Sequence, residues 1–173
     1  MAVVAACAPA PPVREFVVGA TLPLSGRESA TGESMRRGYA RAVEEINRAG
    51  GLVLGLQGRV PVRLDLRDDR GEAARAEQLA AELLAGGAHL LLATPVAIRA
   101  VPQAAIAEQI GRPLVVNRQD GEGLPGPRAW WTVAVPAAGD VETRAYAMAR
   151  EVLLAAARVG STDPGTLRQA LRQ

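Results

Sequence analysis

The residues with reactive side chains are few and lie far apart in the sequence. Asp68 and Asp69 are adjacent carboxylates, which would suit a metal site or an acid–base pair. Neighbouring residues of a strand point to opposite faces, so we predict instead that they cap the helix that follows. His89 has no acid or thiol near it in the sequence, which favours a structural role. Because no nucleophile–base pair is evident, the pattern does not predict an enzyme.

Cofactor, metal and nucleic-acid binding are not predicted either. The run Gly121-Glu122-Gly123 lacks the glycine spacing and the strand-to-helix context of a dinucleotide site. The single cysteine, Cys7, excludes an internal disulfide and a cysteine cluster for zinc. The 20 basic residues are all arginine and are interspersed with 18 acidic residues, so they form no basic stripe for nucleic acid. A flavodoxin-like enzyme or cofactor binder stays open as a rival, and a bound chromophore or nucleotide would support it.

The elements that would position a site alternate between apolar strands and amphipathic helices. Residues 16–21 form an apolar run, and residues 33–49 place Met35, Tyr39, Val43 and Ile46 at helical spacing. Alternating strands and helices predict parallel strands with right-handed crossovers. The fold class is therefore α/β, a single flavodoxin-like lobe with a five-stranded, mostly parallel sheet of order 2-1-3-4-5 and helices on both faces. The remaining predicted strands are residues 60–66, 90–92, 113–116 and 130–135, and the remaining helices are a segment ending at Gly86-Gly87, 97–110, 140–159 and a last one from Pro164.

The first residues have a different character from the rest. Residues 1–15 begin with an apolar segment and continue into a proline-rich stretch, and we predict a signal remnant or tether there, with one lobe over residues 16–173. The tetrapeptide Val4-Ala5-Ala6-Cys7 resembles a bacterial lipobox. Cys7 is therefore a candidate for lipidation, and we expect a periplasmic or other extracytoplasmic location, with a lipid anchor through Cys7. A tail with an incidental thiol is the alternative.

Several spaced motifs together resemble type I periplasmic solute-binding proteins of the branched-chain amino-acid (Leu/Ile/Val) family. The resemblance covers nearly everything after residue 15 and implies a non-enzymatic binding protein. Family members have a second lobe inserted into the first, so we expect the first lobe only, with the second deleted between about Ala137 and Arg150. The motifs are GATLPLSG at 19–26, AVEEIN at 42–47 with Ala49-Gly50-Gly51, Asp68-Asp69, AIAE at 105–108 with Gly111 and Pro113, and VGSTDP at 159–164.

The resemblance also places a candidate ligand site in the loops after the strands. In the family, hydroxyl-bearing residues after the third strand hold the charged ends of the amino acid. The matching positions include Thr94, Val96 and Ala97, and the last two have no hydroxyl. Solvated loop and capping residues are the alternative interpretation. Further candidates at the same edge of the sheet are Ser25, Arg27, Thr31, Asn117, Arg118 and Gln119.

We therefore expect a solute-binding-protein-like single lobe, related to amino-acid transport receptors, with weakened or altered ligand binding. The alternative is a structural or regulatory homodimerising module that binds no small molecule. A homodimer is predicted in either case, because a missing lobe would leave an apolar rim near Pro95, Val96, Leu124 and Trp130-Trp131. The expected partners are a second copy and an amino-acid-like ligand at low affinity, and the sequence identifies no transporter.

Overall fold

Five parallel strands form the central sheet of the computed structural model, which describes residues 13–93, 97–117, 130–133 and 139–171. Two further short strands pair with each other in an antiparallel hairpin. In chain order the strands are β1 (Phe16–Leu22), β2 (Leu52–Val53), β3 (Arg59–Val60), β4 (Val62–Asp68), β5 (Leu90–Leu92), β6 (Leu114–Asn117) and β7 (Trp130–Val133).

The predicted order of the main sheet is confirmed. Its strands lie in the order β4-β1-β5-β6-β7, which is 2-1-3-4-5 when the hairpin is left out, and every pairing is parallel. Strand β1 lies between two neighbours and is buried along its whole length. Its run of apolar residues is the composition expected of a parallel strand covered on both faces.

The hairpin corrects the strand predicted over residues 60–66. Pro61 has no N–H to donate to a strand pairing, and it divides the segment into β3 and β4. The carbonyl of Pro61 accepts a hydrogen bond from Phe16 N at 2.8 Å, so the break lies where β4 begins to pair with β1. Strand β4 then continues to Asp68, two residues beyond the predicted end.

Helices cover both faces of the sheet. Residues Phe16, Val18, Ala20 and Leu22 of β1 share one apolar cluster with α1 and α4, whereas Val17 belongs to the cluster formed with α2 and α3. This alternation along β1 is the period of two that a strand requires. The helices are α1 (Ser29–Arg48), α2 (Ala73–Ala85), α3 (Ala97–Ile110), α4 (Val141–Val159) and α5 (Pro164–Leu171).

Helix α1 begins four residues before the predicted start at residue 33. Its first N–H groups bond within the turn that precedes it, from Ser29 to Gly26 O and from Thr31 to Glu28 O. Gly26 has φ +82°, a left-handed conformation that glycine adopts without steric cost and that turns the chain into the helix. The loop before α1 is therefore short, and it spans residues 23–28.

The predicted helical segment over residues 140–173 is confirmed for the residues described. Asp140 caps α4 by accepting a hydrogen bond from Thr143 N at 2.8 Å, and Gly160 ends the helix in the left-handed conformation. Asp163 accepts a hydrogen bond from Thr166 N at 2.8 Å at the start of α5. Residues 134–140 alone join β7 to α4, so no second lobe is inserted between them.

Helices α1 and α4 cross at a glycine. A Cβ atom on Gly38 would collide with the carbonyl of Glu142 and lie 2.8 Å from the Cβ of Ala145. Polar contacts flank the crossing on both sides: Arg37 pairs with Glu142 at 2.7 Å, and Arg150 pairs with Glu45 at 3.0 Å. The short distance between the helices thus depends on the absence of a side chain at position 38.

We predict that Gly38→Ala lowers the free energy of unfolding by about 1–3 kcal/mol, because overpacking forces the two helices apart. Urea denaturation measures the change. The matched control is Gly165→Ala in the first turn of α5, where the new Cβ would lie 3.2 Å from the flexible carboxylate of Asp163 and φ is not positive. We expect the control to stay within about 0.5 kcal/mol of the parent. Equal losses in both variants would contradict the close crossing.

Candidate functional site

The candidate site residues lie where the parallel strands end. All five strands run in the same direction, so the residues that follow β1, β4, β5, β6 and β7 meet at one edge of the sheet, called here the carboxyl edge. Ligands of open α/β sheets bind at this edge. Of the predicted residues, Ser25 and Arg27 lie in the loop after β1, Ala97 begins α3 and Asn117 ends β6. Thr94, Val96, Arg118 and Gln119 lie outside the described residues.

The position predicted for Thr31 needs correction. We expected it in the loop after the first strand, but it lies in the first turn of α1, because the helix begins at Ser29. It is half-buried there, and its N–H is bonded to Glu28 O. Its backbone donor is therefore not available to a ligand, although the residue remains close to the carboxyl edge.

A single carboxylate organises the loop after β1. Asp68, the last residue of β4, accepts hydrogen bonds at Oδ1 from Leu24 N at 2.9 Å, from Ser25 N at 3.2 Å and from Arg70 N at 3.0 Å. Its Oδ2 accepts one from Ser25 Oγ at 2.6 Å. Two neighbouring carboxyl-edge loops are thus connected through one side chain.

These donors also favour the charged form of the carboxyl group. The hydroxyl of Ser25 lowers the pKa of Asp68 below its usual range. Burial raises this pKa by less than the hydroxyl lowers it, and the backbone N–H groups of Arg70, Ser25 and Leu24 lower it further. The hydroxyl hydrogen of Ser25 is engaged in this contact. Its oxygen retains acceptor capacity, and the residue is exposed.

The predicted capping role of Asp68 and Asp69 is wrong. Helix α2 begins after Glu72, and no side chain caps it. Asp69 is fully buried; its Oδ1 accepts a hydrogen bond from Gly71 N at 2.8 Å, and its own N–H donates to Leu22 O at 2.9 Å. Both carboxylates therefore shape the turn that follows β4, rather than the helix.

A buried polar pair lies beneath the carboxyl edge and was not predicted. Gln103 of α3 donates a hydrogen bond from Nε2 to Thr21 Oγ1 at 2.7 Å, and both residues are only 1% exposed. The helical spacing of Gln103 with the buried Ala100, Ala104 and Ala107 is the sequence signal that could have indicated its inward position. This hydrogen bond joins the end of β1 to α3, the helix that follows β5.

Arg27 is an exposed cation of this edge, as is Arg70 in the turn after β4. Arg27 lies in the loop that Asp68 holds, two residues before α1, and no acidic side chain of the described ranges forms an ion pair with it. A guanidinium in such a position can pair with a carboxylate through two parallel N–H donors. The start of α1 adds a weak positive potential in the same region.

His89 is a structural residue, as predicted. The Nδ1 atom of its ring accepts a hydrogen bond from Val17 N at 3.0 Å, and its backbone N–H donates to Val17 O at 2.9 Å. The ring stacks on Phe16 with the two centroids 5.0 Å apart. It lies at the start of β5, far from the carboxyl edge. Burial lowers the pKa of His89, and the charge of Arg112 lowers it further. In the part of the chain described, no three His, Cys, Asp or Glu side chains are grouped for a metal.

These features define a class of protein. A parallel sheet with helices on both faces, whose loops meet at the carboxyl edge, is the architecture of a doubly wound α/β lobe, in which ligands bind at that edge. The chain belongs to the periplasmic binding protein family, whose model matches residues 15–151. No curated protein sequence matches the chain. The predicted resemblance to this family is confirmed.

Solved structures extend the comparison to amino-acid transport. The chain is similar to the leucine-binding protein LivK of Thermotoga maritima, with 25% identity, a TM-score of 0.54 and coverage of 68% of this chain and 32% of that one. It shares the fold of the substrate-binding protein LivJ of Streptococcus pneumoniae, solved with isoleucine, at 21% identity and a TM-score of 0.56, covering 68% of this chain and 33% of that one. The chain thus spans about a third of the length of these structures.

We predict that Asp68→Asn loosens the loop and lowers the free energy of unfolding at pH 7 by about 1–2 kcal/mol, because an amide cannot replace the carboxylate acceptor for Ser25. The pKa of Asp68 is depressed in the folded state, so its stabilising effect is present above the unfolded value near 3.9 and is lost as the pH falls through the lower folded value.

The difference between the parent and Asp68→Asn should therefore shrink when urea denaturation is repeated below pH 3.9. Asp65→Asn is the matched control on the same strand, since the ion pairs of Asp65 with described side chains are to Arg63 and Arg67 and not to the loop. A difference that stayed constant down to the lowest pH would show that the Asp68 charge does not hold the loop.

Proposed function

We propose that this lobe is a non-enzymatic solute-binding module of the amino-acid transport type, with weakened ligand binding. The observation that supports it is the loop after β1, which the hydrogen bonds to Asp68 hold in place and which presents Ser25 and Arg27 at the carboxyl edge. Solute-binding proteins carry out no chemistry on their ligands, so the absence of a predicted nucleophile–base pair agrees with this function. The names of the similar structures suggest a branched-chain amino acid as the ligand class.

The chemistry of the edge suits the carboxylate of an amino acid. Arg27 supplies the positive charge and the paired donors, and the oxygen of Ser25 can accept a hydrogen bond from an ammonium group. Thr94, Ala97, Asn117, Arg118 and Gln119 remain predicted contacts along the same edge. We propose that Thr94 is the hydroxyl-bearing residue of the loop after β5.

Two features would make this binding weak. A site shared by two lobes loses about half of its contacts when one lobe stands alone, and half of a roughly −8 kcal/mol interaction corresponds to a millimolar dissociation constant. Val96 and Ala97 also lack the hydroxyl groups that the family resemblance implies at these positions. Each missing hydrogen bond to a charged group would cost about 1.5–3 kcal/mol.

Family membership indicates an extracytoplasmic location. None of the helices in the described ranges combines the length and the apolar character needed to span a bilayer. We propose that residues 1–15 are a tether whose last residues, from Val13, contact the lobe, that residues 16–173 form the lobe, and that Cys7 is the lipidated residue. Mass spectrometry of the protein from its natural membrane fraction would detect a lipid on Cys7, and an unmodified thiol there would refute the anchor.

The expected ligand affinity can be measured directly. We predict that calorimetry with leucine, isoleucine or valine gives no micromolar dissociation constant. We also predict that NMR titration with millimolar leucine shifts the amide signals of Leu24, Ser25 and Arg27. Arg27→Gln should reduce these shifts, whereas the control Arg36→Gln, on the exposed side of α1, should not. No shift at any carboxyl-edge residue would instead support a module that binds no small molecule.

A second copy of the chain is the proposed partner. The predicted apolar rim includes Trp130 and Trp131 of β7, which is an edge strand of the sheet, and Pro95, Val96 and Leu124, which lie outside the described residues. We predict that light scattering finds a dimer at tens of micromolar and that Trp131→Glu shifts it toward monomer without unfolding. A strictly monomeric parent protein would refute this interface.

A further inference from the structure

The edge of the sheet opposite the candidate site has the exposed apolar side chains. Among the described residues, the large hydrophobic side chains that are exposed are those of Val53, Leu56 and Ile110. Val53 and Leu56 belong to the hairpin of β2 and β3, and Ile110 ends α3. Leu56 lies at the tip of the hairpin in the turn Gly55–Gln57 and is fully exposed. Because it stays in solvent, the side chain of Leu56 adds no hydrophobic stabilisation to its own fold.

Three arginines lie in or beside the hairpin. Arg14 precedes β1, Arg48 ends α1 and Arg59 begins β3, and all three are exposed. No described acidic side chain pairs with any of them. The guanidinium of Arg59 donates to the carbonyls of Ala49 and Gly51 at 3.0 and 3.1 Å, which fixes it beside the end of α1.

Two acidic groups at this end are already engaged. Glu15 pairs with Arg63 at 2.8 Å. Asp163 accepts hydrogen bonds from the N–H and the hydroxyl of Thr166 at 2.8 Å each, as the cap of α5. Glu15 and Asp163 therefore do not neutralise Arg14, Arg48 and Arg59, which place three positive charges at the hairpin although the whole chain has a net charge of only +2.

The chain enters the lobe beside this hairpin. Val13 donates a hydrogen bond from its N–H to Gln57 Oε1 at 2.7 Å, and its side chain packs against the core. Gln57 is the residue next to Leu56. The residues that precede Val13, including Cys7, are thus connected to the lobe at the hairpin and not at the carboxyl edge.

We propose that Arg14, Arg48, Val53, Leu56 and Arg59, together called the hairpin face, dock on an anionic lipid membrane. Lipid headgroups offer phosphates to the arginines above an apolar layer that accepts Leu56. A bilayer accommodates one protruding side chain without a matching pocket, whereas a stable protein interface needs a broad, complementary surface. An exposed leucine at the tip of a hairpin, with arginines in and beside that hairpin, therefore fits a membrane better than a protein partner.

This docking orients the lobe. The strands run from the hairpin face to the carboxyl edge, so a lobe held by its hairpin presents Ser25 and Arg27 away from the membrane. The docking is independent of the proposed ligand and of lipidation at Cys7. It can be tested in the full chain with Cys7→Ser, which removes any attached lipid from the comparison.

The test is sedimentation of this chain with vesicles of phosphatidylcholine, with and without an equal part of phosphatidylglycerol, at low salt. We expect binding to the anionic vesicles only. Leu56→Asp should weaken the binding about tenfold, and Arg14→Gln with Arg48→Gln roughly fivefold for each arginine. Because these side chains are exposed, circular dichroism should show unchanged folding, and Leu56→Gln serves as a second variant without added charge.

The matched control is Arg36→Gln with Arg70→Gln, which removes the same charge from exposed positions away from the hairpin. This pair should bind like the parent. The docking face is refuted if the chain does not bind anionic vesicles, or if the control pair loses as much binding as the arginine variants at the hairpin. Unchanged binding by Leu56→Asp and Leu56→Gln would refute the insertion of Leu56.

Discussion

The close crossing of α1 and α4 is the constraint on which the rest of the lobe depends. These helices cover the face of the sheet that contains Phe16, Val18, Ala20 and Leu22, and one of them comes from the late part of the chain. Gly38 lets the backbones approach, and the phenol of Tyr146 donates a hydrogen bond to Glu45 beside the crossing. Because residues 134–140 connect β7 directly to α4, this helix covers the core of the lobe with no second lobe inserted before it.

The order of strands and helices could be predicted because each element has a local signal. Apolar runs mark β1 and β5, and glycine pairs such as Gly50-Gly51 end helices through positive φ angles of 95° and 88°. The errors have local causes too. Helix α1 starts within a polar loop whose N–H groups bond to nearby carbonyls, which hydrophobic periodicity does not detect. The hairpin strands have two residues each, too few to show any alternation.

The site was less predictable because its contacts join residues far apart in sequence. The carboxylate of Asp68 bonds to residues 43 and 44 positions away, and Gln103 bonds to Thr21 at a separation of 82. A pattern confined to one segment predicts that Asp68 caps the next helix. Its actual partners, Leu24 and Ser25, lie in a distant segment that such a pattern does not include. That the loops with the candidate residues Ser25 and Arg27 lie at the carboxyl edge was nevertheless predictable, because parallel topology alone determines which loops meet there.

The stacked histidine has a consequence for a protein placed outside the cytoplasm, where the surrounding medium sets the acidity. His89 links the starts of β1 and β5 as a neutral ring, and burial together with Arg112 lowers its pKa. The unfolded chain takes up a proton at this imidazole more readily than the folded one does. The contribution of this neutral imidazole to stability is therefore fully present above the ordinary histidine value near 6.5, and it is lost as the pH falls through the lower folded pKa. Acidification outside the cell would thus weaken the contact between β1 and β5 where these strands begin, at the edge opposite the candidate site.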